Sequence, residues 1–373
     1  MINNKKNKIL ITGSAGFVGF HTTIKLLNLG HDVVGVDNLN RYYDQSLKKD
    51  RLKEIFKISK KAKGKFIFFK CDINDKKKIL NIFKKNKFHQ VIHLAAQVGV
   101  RNSIKYPFDY FSTNLFGFCN ILENCKNYSV KHLIFASSSS VYGSTNKFPF
   151  SEHSSSSDQP IQLYAATKRS NEIIAYSYSH LYKMKITGLR FFTVYGPWGR
   201  PDMALFKFTK AILSDKPIQV FNYGKHRRDF TYIDDIVEGV IRVLDKPPNK
   251  TNSSLTINEF PQATKIKKQY SIYNIGNNNP VELINFIEIL EEVLGIKADK
   301  EMLPLQPGDV PDTSAEVDDL VKQFDYKPST TVEEGISKFL CWYNYYYSRC
   351  GILYWRKSWI IDACCSKANF FII

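Results

Sequence analysis

Neither end of the 373-residue chain carries the roughly 20 consecutive apolar residues that cross a bilayer. The opening Met1-Ile-Asn-Asn-Lys-Lys-Asn-Lys8 is polar and runs straight into a strand pattern, so the expectation is a cytoplasmic chain without signal peptide or anchor. Cys-x-x-Cys is missing. The seven cysteines (71, 119, 125, 341, 350, 364 and 365) stand beside no His pattern of zinc type, so free thiols and no metal are expected. Gly-x-Ser-x-Gly is missing too, and no His stands near enough to the serine run to suggest a serine-hydrolase elbow. Acid is scarce relative to base, 35 residues against 53, for a formal charge of +18. Such a balance attracts polyanions. Here, however, the lysines are spread along the chain, with short runs such as Lys60-Lys61 and Lys76-Lys-Lys78, in an Asn- and Ile-rich composition of the kind an AT-rich genome encodes. No specific nucleic-acid partner is expected, although a basic surface helps draw in a small anion.

What is present is enough apolar material, 43% of residues, to bury a substantial core in one large domain or two interlocked lobes. Short β-branched runs at 9–12, 33–37, 66–71, 91–95, 133–137 and 186–191 alternate with helical stretches. That order predicts an α/β fold with a doubly wound parallel Rossmann-type sheet. Beyond about residue 190 the alternation weakens and Pro, Gly and aromatic segments predict a smaller C-terminal substrate-binding lobe. The expected division is 1–187 for the dinucleotide domain and 188–348 for the second lobe, with 229–245 returning to the first. Residues 349–373 differ from the rest, with three Cys, two Trp and the ending Phe370-Phe-Ile-Ile373. They read as a poorly ordered tail, an oligomer contact or an interfacial membrane anchor.

Thr12-Gly-Ser-Ala-Gly-Phe-Val-Gly19 places Gly13, Gly16 and Gly19 between the first strand and a helix marked by Phe17, Phe20, Ile24 and Leu27. Strand, glycine turn and helix N-terminus form a cradle for a pyrophosphate, with Ala15, Phe17 and Val18 offering backbone N–H groups. Asp37, eighteen residues after Gly19 at the end of the second strand, is placed with Asn38 to meet an adenosine ribose and to repel a 2′-phosphate. NAD is therefore expected over NADP, although Asp37 also reads as a strand cap and Arg41 leaves room for NADP. Asp72 and Ile73 end the third strand, where Asp72 would meet the adenine amino group. Leu94, Ala95 and Ala96 end the fourth with small side chains that admit a cofactor; both segments also read as strand-end packing. Asn114 would orient a water or support Lys168, or stand exposed on a helix.

Ser137-Ser-Ser-Ser-Val-Tyr-Gly143 follows an apolar strand, which puts its hydroxyls at the carboxyl edge of the sheet. Ser138 is the candidate for bridging a substrate oxygen to a tyrosine, with Ser139 next. In Leu163-Tyr-Ala-Ala-Thr-Lys168, Tyr164 and Lys168 lie on one helix face, about 5–6 Å apart at Cβ. A phenol titrating near pH ~10 is a poor base at neutrality, and a fixed cation beside it is expected to favour the phenolate.

The glycine loop, Asp37, Ser138, Tyr164 and Lys168 together resemble the extended short-chain dehydrogenase/reductase superfamily, over about residues 8–347. Within it, Ala96-Gln-Val-Gly-Val-Arg101, the run from Arg190 to Phe206, Arg228-Asp-Phe-Thr-Tyr-Ile-Asp-Asp235 and Gln306-Pro-Gly-Asp-Val-Pro311 resemble the UDP-glucuronate 4-epimerase group. The resemblance implies a tightly held NAD, a UDP-sugar substrate and a homodimer. It implies that Arg228 binds the diphosphate and that Val220 and Phe221 contact uracil. Thr193 and Arg200, with Arg101 as a second candidate, are expected to grip a hexuronate carboxylate, since a guanidinium matches it bidentately. Each arginine also reads as a surface or interlobe charge. Related dehydratases and decarboxylases place carboxylates after the hydroxyl residue, where this chain has Ser139 and Ser140, so 4-epimerisation is expected. UDP-glucose or UDP-N-acetylhexosamine as substrate, a non-catalytic NAD sensor and a polyanion- or membrane-binding module are the alternatives. The chain departs from the group at 154–157, at Ala315-Glu316 and over its last twenty-five residues.

Overall fold

Six strands of the main sheet fall within a residue or two of the β-branched runs: β1 (Lys8–Thr12), β2 (Asp32–Asp37), β3 (Phe66–Lys70), β4 (Gln90–His93), β5 (His132–Ser138) and β6 (Ile186–Phe191). The structure is a computed structural model that describes residues 6–145, 147–154, 159–249, 269–306 and 309–349. The expectations for the 349–373 tail and for 154–157 therefore lie almost wholly outside the described residues. After β6 come β7 (Thr193–Tyr195), β8 (Ile218–Phe221), β9 (Arg227–Tyr232), β10 (Tyr270–Ile275), β11 (Pro280–Glu282) and β12 (Lys300–Leu303). β10 pairs in parallel with β6, Tyr270 opposite Ile186 through Ile275 opposite Phe191. The main sheet thus has seven strands in the order β10-β6-β5-β4-β1-β2-β3. No periodicity in the sequence marks β10 as a member of this sheet; strand pairing across more than eighty residues decides it.

From β1 the chain runs outward through β2 and β3 and then crosses back to β4 on the other side of β1, so the carboxyl ends of β1 and β4 flank the crevice where open α/β sheets take ligands. Alternation along β1 shows why both faces are covered. Ile9 and Ile11 enter one core, with Phe20 and Leu27, while Leu10 enters the other, with Ile79, Ile82 and Phe118. The covering helices are α1 (Phe17–Asn28), α2 (Gln45–Ser59), α3 (Lys76–Lys85), α4 (Val100–Lys105), α5 (Pro107–Tyr110), α6 (Phe118–Asn127) and α7 (Leu163–Tyr182). A seven-residue π-helical turn, Phe111–Gly117, joins α5 to α6.

The second lobe is built on a three-stranded sheet, β11-β9-β7, and on the pair β8 and β12. Its helices are α8 (Ala204–Ile212), α9 (Ile233–Asp245), α10 (Leu283–Leu294), α11 (Asp318–Phe324) and α12 (Val332–Arg349). A single residue, Phe192, separates β6 from β7, so the chain passes from the large sheet directly into the small one. The segment 229–245 contacts the surroundings of both sheets. β9 stays in the small sheet, and α9, whose Ile233, Ile236, Val240 and Val243 are buried, packs on α1.

Candidate active site

A cleft of about 1280 Å³ runs from the glycine loop, past the carboxyl ends of β4 and β5, to β8 and β9 of the small lobe. At its head, Gly13 has φ +75°, and a Cβ there would sit 2.8 Å from the Ala95 nitrogen. A Cβ on Gly19 would sit 2.1 Å from the Gly13 carbonyl. Only glycine lets the loop lie this flat, and the consequence is that α1 begins at the cleft wall. Gly16 caps it without a side-chain hydrogen bond, and Gly16, Phe17 and Val18 line the cleft, leaving first-turn N–H groups toward an anion.

Ala15 lies behind this wall. Its N–H donates to Asp37 Oδ2 at 3.1 Å and its carbonyl accepts Arg51 Nη1 at 2.9 Å. Asp37 also accepts the Leu39 N–H at 2.8 Å; burial pushes its carboxyl up, against the pull of Lys48. Asn38 lines the cleft and donates to Asp72 Oδ2 at 2.7 Å, while Asp72 itself stays outside the lining and Ile73 reaches it. Leu94, Ala95 and Ala96 form the floor. Asn114 does not reach the cleft. It sits in the π turn, where Oδ1 accepts the Gln97 N–H at 2.8 Å and Nδ2 donates to the Gln97 carbonyl and to Thr167 Oγ1, each at 3.0 Å. It thereby ties the loop after β4 to the helix that carries the candidate catalytic pair.

β5 ends at Ser138, whose Oγ accepts the Ser140 N–H at 3.2 Å and bonds Ser140 Oγ at 3.1 Å. The Ser138 hydroxyl stands near enough to the Tyr164 phenol to hold its proton affinity down. Ser139 lines the cleft beside it. Tyr164 is partly exposed to the cleft at the start of α7; Lys168, one turn on, is buried, and its Nζ donates to the Ala136 carbonyl at 2.9 Å. Burial pulls Lys168 down to about 8, with Glu172 opposing. The expectation that Lys168 draws the phenol down requires correction. Burial pushes Tyr164 above the usual phenol value, opposed by the Ser138 hydroxyl and by the charge of Arg200. Taking a phenol out of water costs its anion more than these two groups return.

At the far end, Thr193 opens β7 and lines the cleft, as does Arg200. Arg200 is paired with Asp202. Arg101 pairs with Asp309 at 3.2 Å and lies 5.1 Å over the Phe221 ring. Arg228 donates to the carbonyls of Pro311 at 2.6 Å and Val310 at 2.7 Å, and its side chain lines the same wall. Phe221 faces the cleft, whereas Val220 is fully buried in the small-lobe core.

Sequence reasoning missed Tyr42, Lys48, Lys207, Lys216 and His226, which line the cleft, and Arg51 beneath it. The Arg41-Tyr-Tyr43 cluster so soon after Asp37 was a signal for the first. Arg51 had none, because a charged residue on an amphipathic helix reads as solvated. It is instead fully buried, donating to Ala15, Tyr43, Trp198 and Gly199.

Residues 9–276 match the NAD dependent epimerase/dehydratase family. Protein CapI of Staphylococcus aureus is 51% identical over 344 residues, 92% of this chain and 100% of that protein. A probable UDP-glucuronate 4-epimerase of Rhizobium meliloti (strain 1021) is 44% identical over 342 residues, 92% of this chain and 98% of that one. Among solved structures, UDP-glucuronic acid 4-epimerase from Bacillus cereus, in complex with UDP-glucuronic acid and NAD, superposes with a TM-score of 0.78 at 32% identity, over 91% of this chain and 100% of that one.

Proposed function

The chain belongs to the NAD dependent epimerase/dehydratase family, and from that membership we propose that it interconverts UDP-glucuronate and UDP-galacturonate by NAD-dependent 4-epimerisation. The observation that carries the reading is the gathering of Ser138, Tyr164 and Lys168 with Arg200 in one cleft that begins at the glycine loop.

The residues fit NAD. Gly13 and Gly19 have no room for a Cβ, the N-terminus of α1 opens on the cleft, and Asp37 closes β2 where a ribose would lie. Bound NAD supplies a reversible hydride acceptor for C4, so the turnover has no net redox. Tyr164 removes the proton of the sugar 4-hydroxyl on the way to a 4-keto sugar and returns it after that sugar has turned its other face; because burial raises its phenol, it would ionise only with the positive charge of bound NAD beside it. Ser138 positions the reacting oxygen. Lys168, with its value near 8, keeps its proton at neutral pH and holds the cofactor ribose. Ser139 and Ser140 provide no carboxylate for elimination of water or carbon dioxide.

Arg228 and Phe221 serve the uridine diphosphate; Arg200 and Thr193, with Arg101 behind them, serve the uronate carboxylate. The region 188–348, apart from 229–245, is the substrate lobe and 1–187 the NAD lobe. A homodimer is part of the proposal, supported by the apolar side chains that α5, α6 with its π turn, and α7 leave exposed: Phe108 81%, Phe116 71%, Ile173 55% and Leu181 64%. Among the described residues no helix is long and apolar enough to cross a membrane. A cytoplasmic role in supplying a uronate for polysaccharide synthesis completes the reading.

The test is incubation of purified protein with UDP-glucuronate and no added NAD, followed by NMR. UDP-galacturonate is the expected product; its absence from folded, NAD-loaded protein overturns the proposal.

A further inference from the structure

The guanidinium assigned to the uronate already holds a carboxylate. Asp202 accepts Arg200 Nε–H at 3.0 Å and Nη2–H at 2.5 Å, which occupies the side-on edge of the fork. The Tyr42 hydroxyl donates to the same carboxylate at 3.1 Å, and Arg200 lies 5.8 Å over the Tyr42 ring. Tyr42 reaches this position because residue 99 is glycine: a Cβ there would sit 2.2 Å from its hydroxyl oxygen. Three loops, after β2, after β4 and after β7, therefore meet at one ion pair, and all four residues line the cleft. The Arg200 and Asp202 side chains are 22% and 26% exposed, sheltered enough for the pairing to matter.

A cation in a cleft wall selects for an anionic ligand to the extent that a neutral ligand leaves it without a partner. With Asp202 in place, a sugar that lacks a carboxylate leaves Arg200 still paired, and the site does not reject it through an orphaned charge. A uronate must share the guanidinium and use its end-on edge, Nη1 and Nη2. We infer that Asp202 is a specificity-determining residue, a built-in counter-ion that limits how strongly the site prefers a C6 carboxylate over a C6 hydroxymethyl. The inference rests on Arg200 being the carboxylate grip of the proposed function.

The experiment measures kcat/KM for UDP-glucuronate and UDP-glucose in wild type, D202N, R200M and the double variant. D202N raises the glucuronate-to-glucose ratio about fivefold, the size that a partly exposed charge pair supports. The change sits in KM and vanishes in the R200M background. D202S, which removes the charge with a smaller side chain, shifts the ratio the same way and stands in should D202N not fold. An unchanged or lower ratio in a folded Asp202 variant overturns the inference, and a loss confined to glucuronate makes Asp202 a residue that only orients Arg200. If R200M keeps the wild-type ratio, the carboxylate-grip assignment fails first. If R200M collapses the ratio while D202N leaves it unchanged, the inference about Asp202 fails alone.

Discussion

The Glu172 carboxylate accepts Arg190 Nε–H at 2.8 Å and Nη2–H at 2.9 Å, joining α7 to β6 directly behind the Tyr164 and Lys168 turn. Ser137 donates to the same carboxylate at 2.6 Å, which adds β5 to the contact, and the Glu172 and Arg190 side chains are 1% and 3% exposed. β5 and α7, which carry Ser138, Tyr164 and Lys168, are thus locked to β6 by one buried pair.

Removing Glu172 strands the Arg190 cation away from water. E172A is expected to lower stability by about 3–5 kcal/mol, the cost of breaking a buried pair from one side. Denaturant unfolding measures it, and a loss below 1 kcal/mol would mean that water or another group replaces the carboxylate.

Tyr164 is the only group in the proposed chemistry that moves the 4-hydroxyl proton. Y164F is expected to cut kcat by about 10²–10⁴-fold, while the NAD that purifies with the protein stays at the wild-type level. Retained turnover would remove Tyr164 from the reaction.

Arg51 links three loops, donating to Tyr43 at 2.7 Å and to the Trp198 carbonyl at 2.6 Å as well as to Ala15. R51M leaves those carbonyls buried without a donor and is expected to cost about 2–4 kcal/mol. NAD retention falls with it, because the glycine loop loses its support from below; R51K recovers part of both. Thermal unfolding together with the NAD content of the purified protein checks this.

Burial lifts the Glu152 carboxyl from 4.5 to about 7, and the Asn274 N–H bond offsets only part of that shift. Between those values the folded protein holds a proton that the unfolded chain has released, so stability falls as pH rises from 4.5 to 7 and levels off above it. E152Q keeps an acceptor for Asn274 without the ionisation. The drop in Tm between pH 5 and pH 8 is therefore expected to be smaller in E152Q than in wild type, and an equal drop would assign the effect elsewhere.

Much of this site could be read along the chain. Gly13, Gly16 and Gly19 are spaced by the geometry of a strand-to-helix turn, and Tyr164 and Lys168 by one turn of helix, so each pattern is local and survives in the sequence. Six strands were legible for the same reason. β10 was not, because nothing in residues 270–275 specifies β6 as their neighbour. Tyr42 and Asp202, 160 residues apart, meet only once two loops have been brought to the same crevice.

By itself, the sequence determined which chemical groups are available and which of them share a helix face or a turn, since that depends on backbone periodicity alone. The tertiary structure decided how those groups titrate and whom they face. Tyr164 is raised where a cation one turn away led us to expect a lowered value, and Arg200 is already paired. Desolvation and ion pairing depend on everything packed around a group, and those neighbours come from distant parts of the chain.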